Sequence, residues 1–180
     1  MSKKKFDDSV YVHPTAVYTG NVSVGKGSSL WPHSAMRADL NYITVGENTS
    51  IQDCCVLHVG PDNPVKVGNY VLVTHGAVLH GCTVEDDCMI GSNAVVLDGA
   101  VLGKGTVVGA GVVVKPGLQV PAGSFVTGVP CVVKPGRPGQ AEANHAVAVM
   151  YSVLAKTYLA GEETIGADEL NAKIEMENKK

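Results

Sequence analysis

Residues 84–126 read VEDDCMIGSNAVVLDGAVLGKGTVVGAGVVVKPGLQVPAGSFV. An aliphatic residue returns at every sixth position of this stretch, at Val84, Ile90, Val96, Leu102, Val108, Val114, Val120 and Val126, and the next step reaches Val132. Side chains on one face recur every 3.6 residues in an α-helix and every two in a strand, so neither element keeps this period. The period predicts a parallel β-helix, in which each hexad is a short strand with a corner and three hexads close one triangular coil.

This series of aliphatic residues, called the ladder below, extends towards the N-terminus. Its earlier members are Val24, Leu30, Met36, Val45, Ile51, Leu57, Val67, Val73 and Leu79. Two steps are lengthened, to nine residues after Met36 and ten after Leu57, and the step after Leu79 is shortened to five. If the longer steps contain small inserted loops, these three residues lie on one side of the prism in consecutive coils.

This ladder also places the histidines. Arg37, His58 and His80 each follow a ladder residue by one position, so they form a column on neighbouring coils, spaced about 4.8 Å apart like paired strands. Two imidazoles at that spacing can reach one metal ion. His75 lies two positions after its ladder residue, around a corner, in a column with Asp53. From that corner His75 cannot easily meet His58 and His80 of its own chain. We therefore expect a second subunit, packed around a threefold axis, to supply His75 to the site.

Three segments carry a resemblance to a known family: MRAD at residues 36–39, NTSIQDCCVLH at 48–58 and VTHGAVLHGC at 73–82. Their Arg-x-Asp, Gln-Asp-x4-His and His-Gly-x3-His patterns resemble the γ-class carbonic anhydrases and their hexapeptide-repeat relatives over roughly residues 10–135. The resemblance implies an all-β solenoid, a left-handed parallel β-helix with a C-terminal α-helix, that forms a homotrimer with metal sites at its subunit interfaces. The left hand is implied by the resemblance alone, because ordinary parallel crossovers are right-handed.

The resemblance also implies the chemistry. His58, His75 and His80 would bind Zn²⁺, with Fe²⁺ or Co²⁺ as alternatives because imidazole suits several of these ions. Three imidazoles leave an open position for water, whose pKa such an ion lowers towards about 7. Attack of the resulting hydroxide on carbon dioxide gives bicarbonate. Gln52 resembles the residue that orients the hydroxide.

Four further residues are candidates on the same resemblance. Arg37, Asp39 and Asp53 resemble interface groups that orient ligands and substrate, although Arg37 and Asp39 are equally compatible with a subunit-interface salt bridge. Tyr151 resembles a tail tyrosine that lines the site in some relatives, whereas its helical spacing favours a packing role.

The proton route departs from the family pattern. Family archetypes carry a shuttle glutamate in an acidic loop, but the insertion between Leu57 and Val67 has Asp62 as its only acid. Leu40 stands where the archetype has another glutamate. These differences predict slow hydration. Two other functions stay open: an acyl-CoA-dependent acyltransferase on the same repeat scaffold, which needs only one histidine as general base, and a non-catalytic metal-binding scaffold.

The character of the chain changes after the ladder. The segment PGRPG at residues 135–139 interrupts the period, as Pro and Gly do, so we expect a β-helix over 1–135 and a helical tail over 136–180 packed on it. One helix is predicted by the spacing of Val147, Tyr151, Leu154 and Tyr158, with Gly161 as its stop, and a second, mostly polar one from about 167 to 177.

Composition limits the partners. The net charge of −3 over 180 residues gives no broad attraction for nucleic acid or an anionic membrane. No apolar run approaches the roughly 20 residues that span a bilayer, and no hydrophobic segment follows the N-terminal lysines, so a cytoplasmic location is expected. The five cysteines show no Cys-x-x-Cys spacing and predict reduced, buried side chains, with a redox or ligand role as the alternative for Cys54 and Cys55.

Overall fold

The computed structural model describes residues 6–162 and 164–179. Its strands are β1 Tyr11–Val12, β2 Val17–Val24, β3 Ser29–Leu30, β4 Ala35–Val45, β5 Ser50–Ile51, β6 Val56–His58, β7 Val65–Val67, β8 Leu72–Val73, β9 Val78–His80, β10 Thr83–Val84, β11 Met89–Ile90, β12 Val95–Val96, β13 Val101–Leu102, β14 Val107–Val108, β15 Val113–Val114, β16 Gln119–Val120, β17 Ser124–Thr127 and β18 Val132–Pro135. Helices α1 Gln140–Leu159 and α2 Ala167–Glu177 follow.

The strands stack in parallel on the three faces of a prism. Face A carries β1, β3, β5, β8, β11, β14 and β17. Face B carries the first parts of β2 and β4, then β6, β9, β12 and β15, and face C carries the last parts of β2 and β4, then β7, β10, β13 and β16. The fold is therefore the predicted left-handed parallel β-helix with a C-terminal helix.

The ladder residues fill the prism. Most of them are fully buried, including Leu30, Ile51, Leu57, Val73, Leu79, Ile90, Val96, Leu102, Val108, Val114 and Val126. The prediction was wrong at Val132, which is 52% exposed. After Gly128, whose φ is 83°, the chain reverses, and β18 pairs antiparallel with β17 instead of starting another hexad. The last strand of face A is thus covered by the chain itself, which protects an otherwise open edge.

Helix α1 lies along the corners that join face C to face A. Apart from Val153, its buried residues are polar or small and differ from the predicted aliphatic and aromatic stripe, because three of the polar ones bond to those corners. The bonds join the side-chain amides of Gln140 and Asn144 to the carbonyl oxygens of Gly105 and Asp87, both at 2.8 Å, and the Ser152 hydroxyl to Asn48 Oδ1 at 2.9 Å. The three corner residues belong to three different coils and have positive φ angles.

The C-terminal half of α1 packs against aromatic side chains. The Trp31 ring contacts Tyr11, Tyr151 and Tyr158, and its indole N–H donates to the hydroxyls of Ser29 and Ser50 at 2.9 and 3.0 Å. Helix α2 occupies the predicted residues and leaves none of its described side chains fully buried. Neither of the described helices combines the length and the hydropathy that a membrane-spanning segment needs.

Three cysteine thiols lie inside the solenoid. Burial raises the pKa of Cys55, Cys82 and Cys88 to about 12, and only the thiolate is a good nucleophile. We expect these three to stay unmodified by a thiol-specific reagent at pH 8 in the folded protein and to react after unfolding in urea. Peptide mapping by mass spectrometry would locate the label. Labelling of any of the three in folded protein would contradict the burial described here.

Candidate metal centre

His58 and His80 face one another on face B. Strand pairing aligns Arg37 with His58 and His58 with His80, which confirms the predicted column. The two ring centroids are 5.0 Å apart, and His58 Nδ1 lies 3.1 Å from His80 Nε2. The repeat creates this pair, because each residue directly follows a buried ladder leucine and so points away from the core.

The outer nitrogen of each ring contacts a carboxylate. His58 Nε2 lies 3.2 Å from Asp39 Oδ1, and His80 Nδ1 lies 2.9 Å from Asp98 Oδ2. Desolvation acts to raise the pKa of Asp39, but hydrogen bonds from Arg37, from its own backbone N–H and from His58 hold that pKa below its ordinary value. Asp39 is therefore an anion that bonds Arg37 and His58, two of the three members of the column.

Asp98 was not singled out from the sequence. It lies 18 residues after His80, whereas strand pairing aligns Leu79 with Val96 and so places Leu97 one coil after His80. Counting a whole coil forward from the histidines would therefore not have found it. A surface acid shows no period of its own and is ordinarily a solvated side chain.

His75 belongs to a second group of site residues, at the corner between faces A and B. Its Nδ1 lies 2.9 Å from Asp53 Oδ2, as the predicted column of these two residues requires. Within the chain as described, no three His, Cys, Asp or Glu side chains stand close enough together to hold a metal ion. A single subunit therefore offers the His58–His80 pair and His75 as separate parts.

Gln52 and Tyr151 lie beside this second group. Gln52 is only 2% exposed and shares a hydrogen bond with Tyr151. Burial and the nearby Asp53 charge raise the pKa of Tyr151, while the bond from Gln52 opposes that rise. The Tyr151 ring also packs edge-on against Trp31. Both roles considered for Tyr151, packing and a place near the site, are thus compatible with its position.

The donor set on face B suits a cation. A neutral imidazole has one N–H and one lone pair, and an ionised carboxylate can only accept. If Asp39 and Asp98 each accept an N–H, the lone pairs of His58 Nδ1 and His80 Nε2 point at each other across 3.1 Å. A cation in front of both nitrogens would offset the repulsion between these lone pairs. Nitrogens that bind one tetrahedral Zn²⁺ at about 2.0–2.1 Å stand about 3.3 Å apart, close to the separation here.

An apolar row runs beside the histidines. Strand pairing aligns one outward position on each coil of face B: Val17, Ala35, Val56, Val78, Val95 and Val113. Val17 is 58% exposed, and none of the six is fully buried. The corresponding row of face C is mostly polar, with Ser23, Thr44, Lys66, Thr83, Val101 and Gln119. On face A, helix α1 packs against β1, β3, β5 and β8. Face B is therefore an apolar face that α1 leaves open, and a cavity of about 410 Å³ on it includes both histidines.

The chain is similar to known proteins in both sequence and fold. The family model described as "Bacterial transferase hexapeptide (six repeats)" matches residues 81–116. A probable carbonic anhydrase of Methanocaldococcus jannaschii is 51% identical over 122 residues, which cover 68% of this chain and 77% of that protein. The mitochondrial gamma carbonic anhydrase 2 of Arabidopsis thaliana is 46% identical over 91 residues, or 47% of this chain.

The chain spans only about a third of the Arabidopsis protein, 33% of its length. Among solved structures, a putative acetyltransferase of Bacillus cereus superimposes with a TM-score of 0.84 at 29% identity, covering 87% of this chain and 91% of that one. The same scaffold is thus shared with a protein described as a transferase.

Proposed function

The chain belongs to the γ-class carbonic anhydrase family, and on that premise we propose that it is a homotrimer that hydrates carbon dioxide reversibly to bicarbonate. Each active site would lie between subunits, with His58 and His80 of one subunit and His75 of its neighbour binding Zn²⁺. The observation that carries the proposal is the pair of opposed imidazole nitrogens on face B, each backed by a carboxylate.

The surface of face B supports the assembly. Monomeric proteins rarely expose a large continuous apolar patch, and the row from Val17 to Val113 lies directly beside the histidine column. Packing this face on a neighbour would bury the row and bring a second chain's corner residues towards His58 and His80. The exposed His75, which stands at such a corner, would complete the ligand set.

The residues around the proposed metal ion have different roles. When bound, the metal ion supplies a Lewis acid that lowers the pKa of water towards neutrality. Asp39, Asp98 and Asp53 hold His58, His80 and His75 in fixed orientations. We assign Gln52 the role of orienting the attacking oxygen, with its amide held by Tyr151. Arg37, paired with Asp39 at the mouth of the site, would attract the bicarbonate anion.

Proton export limits the rate in this proposal. Leu40 is 63% exposed and can carry no proton, which leaves the exposed Asp62 as the acid of the neighbouring loop. We expect zinc-loaded protein to hydrate carbon dioxide slowly in dilute buffer and to accelerate about tenfold or more as imidazole is added, because a small base can replace the missing acceptor. Stopped-flow measurement of the rate against imidazole concentration tests this. A fast rate that is independent of buffer would assign the proton to a protein group.

A transferase function is the second candidate, favoured by the Bacillus cereus neighbour and by the hexapeptide family model. It predicts binding of acyl-CoA to metal-free protein. Metal analysis of anaerobically purified protein, beside hydration and acyl-CoA binding assays, separates the candidates. Full metal loading with no hydration at any buffer concentration would reject the carbonic anhydrase proposal.

A further inference from the structure

The carboxylate of Asp98 contacts the ring of His80. It lies 2.9 Å from His80 Nδ1 and forms no other ion pair among the described residues. Asp39 differs, because it also binds the Arg37 guanidinium. Both Asp98 and His80 are partly exposed, at 37% and 32% of their side chains, so the bond is not a means of neutralising a buried charge.

Two glycines on the face B side make room for this carboxylate. A Cβ atom added at Gly81 would lie 2.3 Å from Asp98 Oδ1, and one at Gly60 would lie 3.0 Å from the same oxygen. Any side chain at position 81 would therefore displace the carboxylate. The backbone supports the arrangement, since Gly99 donates to the Gly81 carbonyl at 2.7 Å and keeps the Asp98 coil against the His80 coil.

The bond determines which nitrogen of His80 carries the proton. An ionised carboxylate accepts only, so the neutral ring must place its proton on Nδ1 and its lone pair on Nε2. That Nε2 is the atom that faces His58. Without the carboxylate, both tautomers of a neutral imidazole are available, and the form protonated at Nε2 cannot bind a metal ion through that atom.

We propose that Asp98 is a positioning residue, which fixes His80 in the tautomer with a free Nε2 and thereby sets the metal affinity of the site. The metal part rests on the proposed function, whereas the tautomer part concerns the chain alone. Loss of such an outer partner weakens metal binding in other proteins by about 10- to 100-fold.

The tautomer can be read without any metal. In ¹⁵N-labelled metal-free protein at pH 8.5, long-range ¹H–¹⁵N spectra report which ring nitrogen carries hydrogen. We expect His80 to be protonated at Nδ1 in the parent protein and in Asp98→Asn, whose amide oxygen can still accept, and to shift towards the Nε2-protonated form in Asp98→Ala. An unchanged tautomer in Asp98→Ala would overturn the proposal.

Zinc affinity provides the second readout, measured by competition with a chelator. Asp98→Ala should bind about 10- to 100-fold more weakly, and Asp98→Asn should lose less. Gly81→Ala keeps the carboxylate but fills its space, so it should weaken binding too. Gly117→Ala is the matched control, because that corner has a similar positive φ of 71° and nothing within 4 Å of the added Cβ; Asp168→Asn controls for the loss of a charge on α2.

The outcomes are separable. Parent protein that binds no zinc would reject the proposed function, while the tautomer spectra would still test Asp98. If the parent protein and Asp98→Ala bind zinc with equal affinity, the positioning role is rejected and the proposed function is unaffected. Circular dichroism checks the fold of each variant, and if Gly81→Ala fails to fold, the two Asp98 variants decide.

Discussion

The His75→Ala variant is expected to fold as a β-helix and to lose its metal ion. The ladder residues build the core, whereas the His75 side chain is exposed and, among the described residues, bonds only to the Asp53 carboxylate. Removing one of three ligands should lower zinc affinity by more than about 100-fold, since even the loss of an outer partner costs 10- to 100-fold. Metal content after dialysis, together with circular dichroism and the hydration rate, measures the effect. Unfolding of the variant would instead give the metal a structural role.

Complementation shows which subunit supplies each ligand. A His58→Ala chain lacks part of the pair but keeps His75, and a His75→Ala chain has the opposite defect. In a closed ring of three, every mixed trimer of these chains holds one complete site, so tandem-purified hybrids should regain about one third of the parent metal content. No recovery in the hybrids would place all three ligands in one chain.

The Leu79→Ala variant should be strongly destabilised. Leu79 is fully buried and is stacked between Leu57 and Val96 of the neighbouring coils. Truncating a buried leucine costs about 2–5 kcal/mol through lost burial and the remaining cavity. Urea unfolding at fixed protein concentration would measure the free energy of unfolding.

Val101→Ala is the matched control for that substitution. Val101 occupies an outward position on face C, one residue before the buried Leu102, and its truncation should change the free energy of unfolding by about 0.5 kcal/mol or less. Equal effects of the two substitutions would contradict the assignment of inward and outward positions along the ladder.

The six-residue period predicts which residues point into the core and which residues align on neighbouring coils. Ladder positions such as Leu57 and Leu79 lie where the count puts them, and the neighbouring His58 and His80 therefore form the expected pair. Val132 matches the period but not the core, because the chain reverses at Gly128 and the count cannot detect a change of direction.

Contacts that depend on distant parts of the chain were not predictable in this way. The buried stripe of α1 holds Gln140 and Asn144, whose partners are backbone carbonyls of Gly105 and Asp87. Hydropathy assigns such residues to the surface, since it cannot register an acceptor 57 residues away, as in the Asn144–Asp87 bond. Asp98 was missed for a related reason: only its contact with the His80 ring makes it a site candidate, and no sequence pattern reports that contact.

The bonds between α1 and the corners have a consequence for how this protein can change in length during evolution. One coil adds about 4.8 Å to the prism, and one helical turn adds about 5.4 Å. Between the coils of Asn48 and Gly105, each anchored corner is matched to a turn of the helix. Duplication of a single coil there would leave every later anchor out of step. Growth of the repeat would require a simultaneous insertion of about one turn in the helix, far away in the gene.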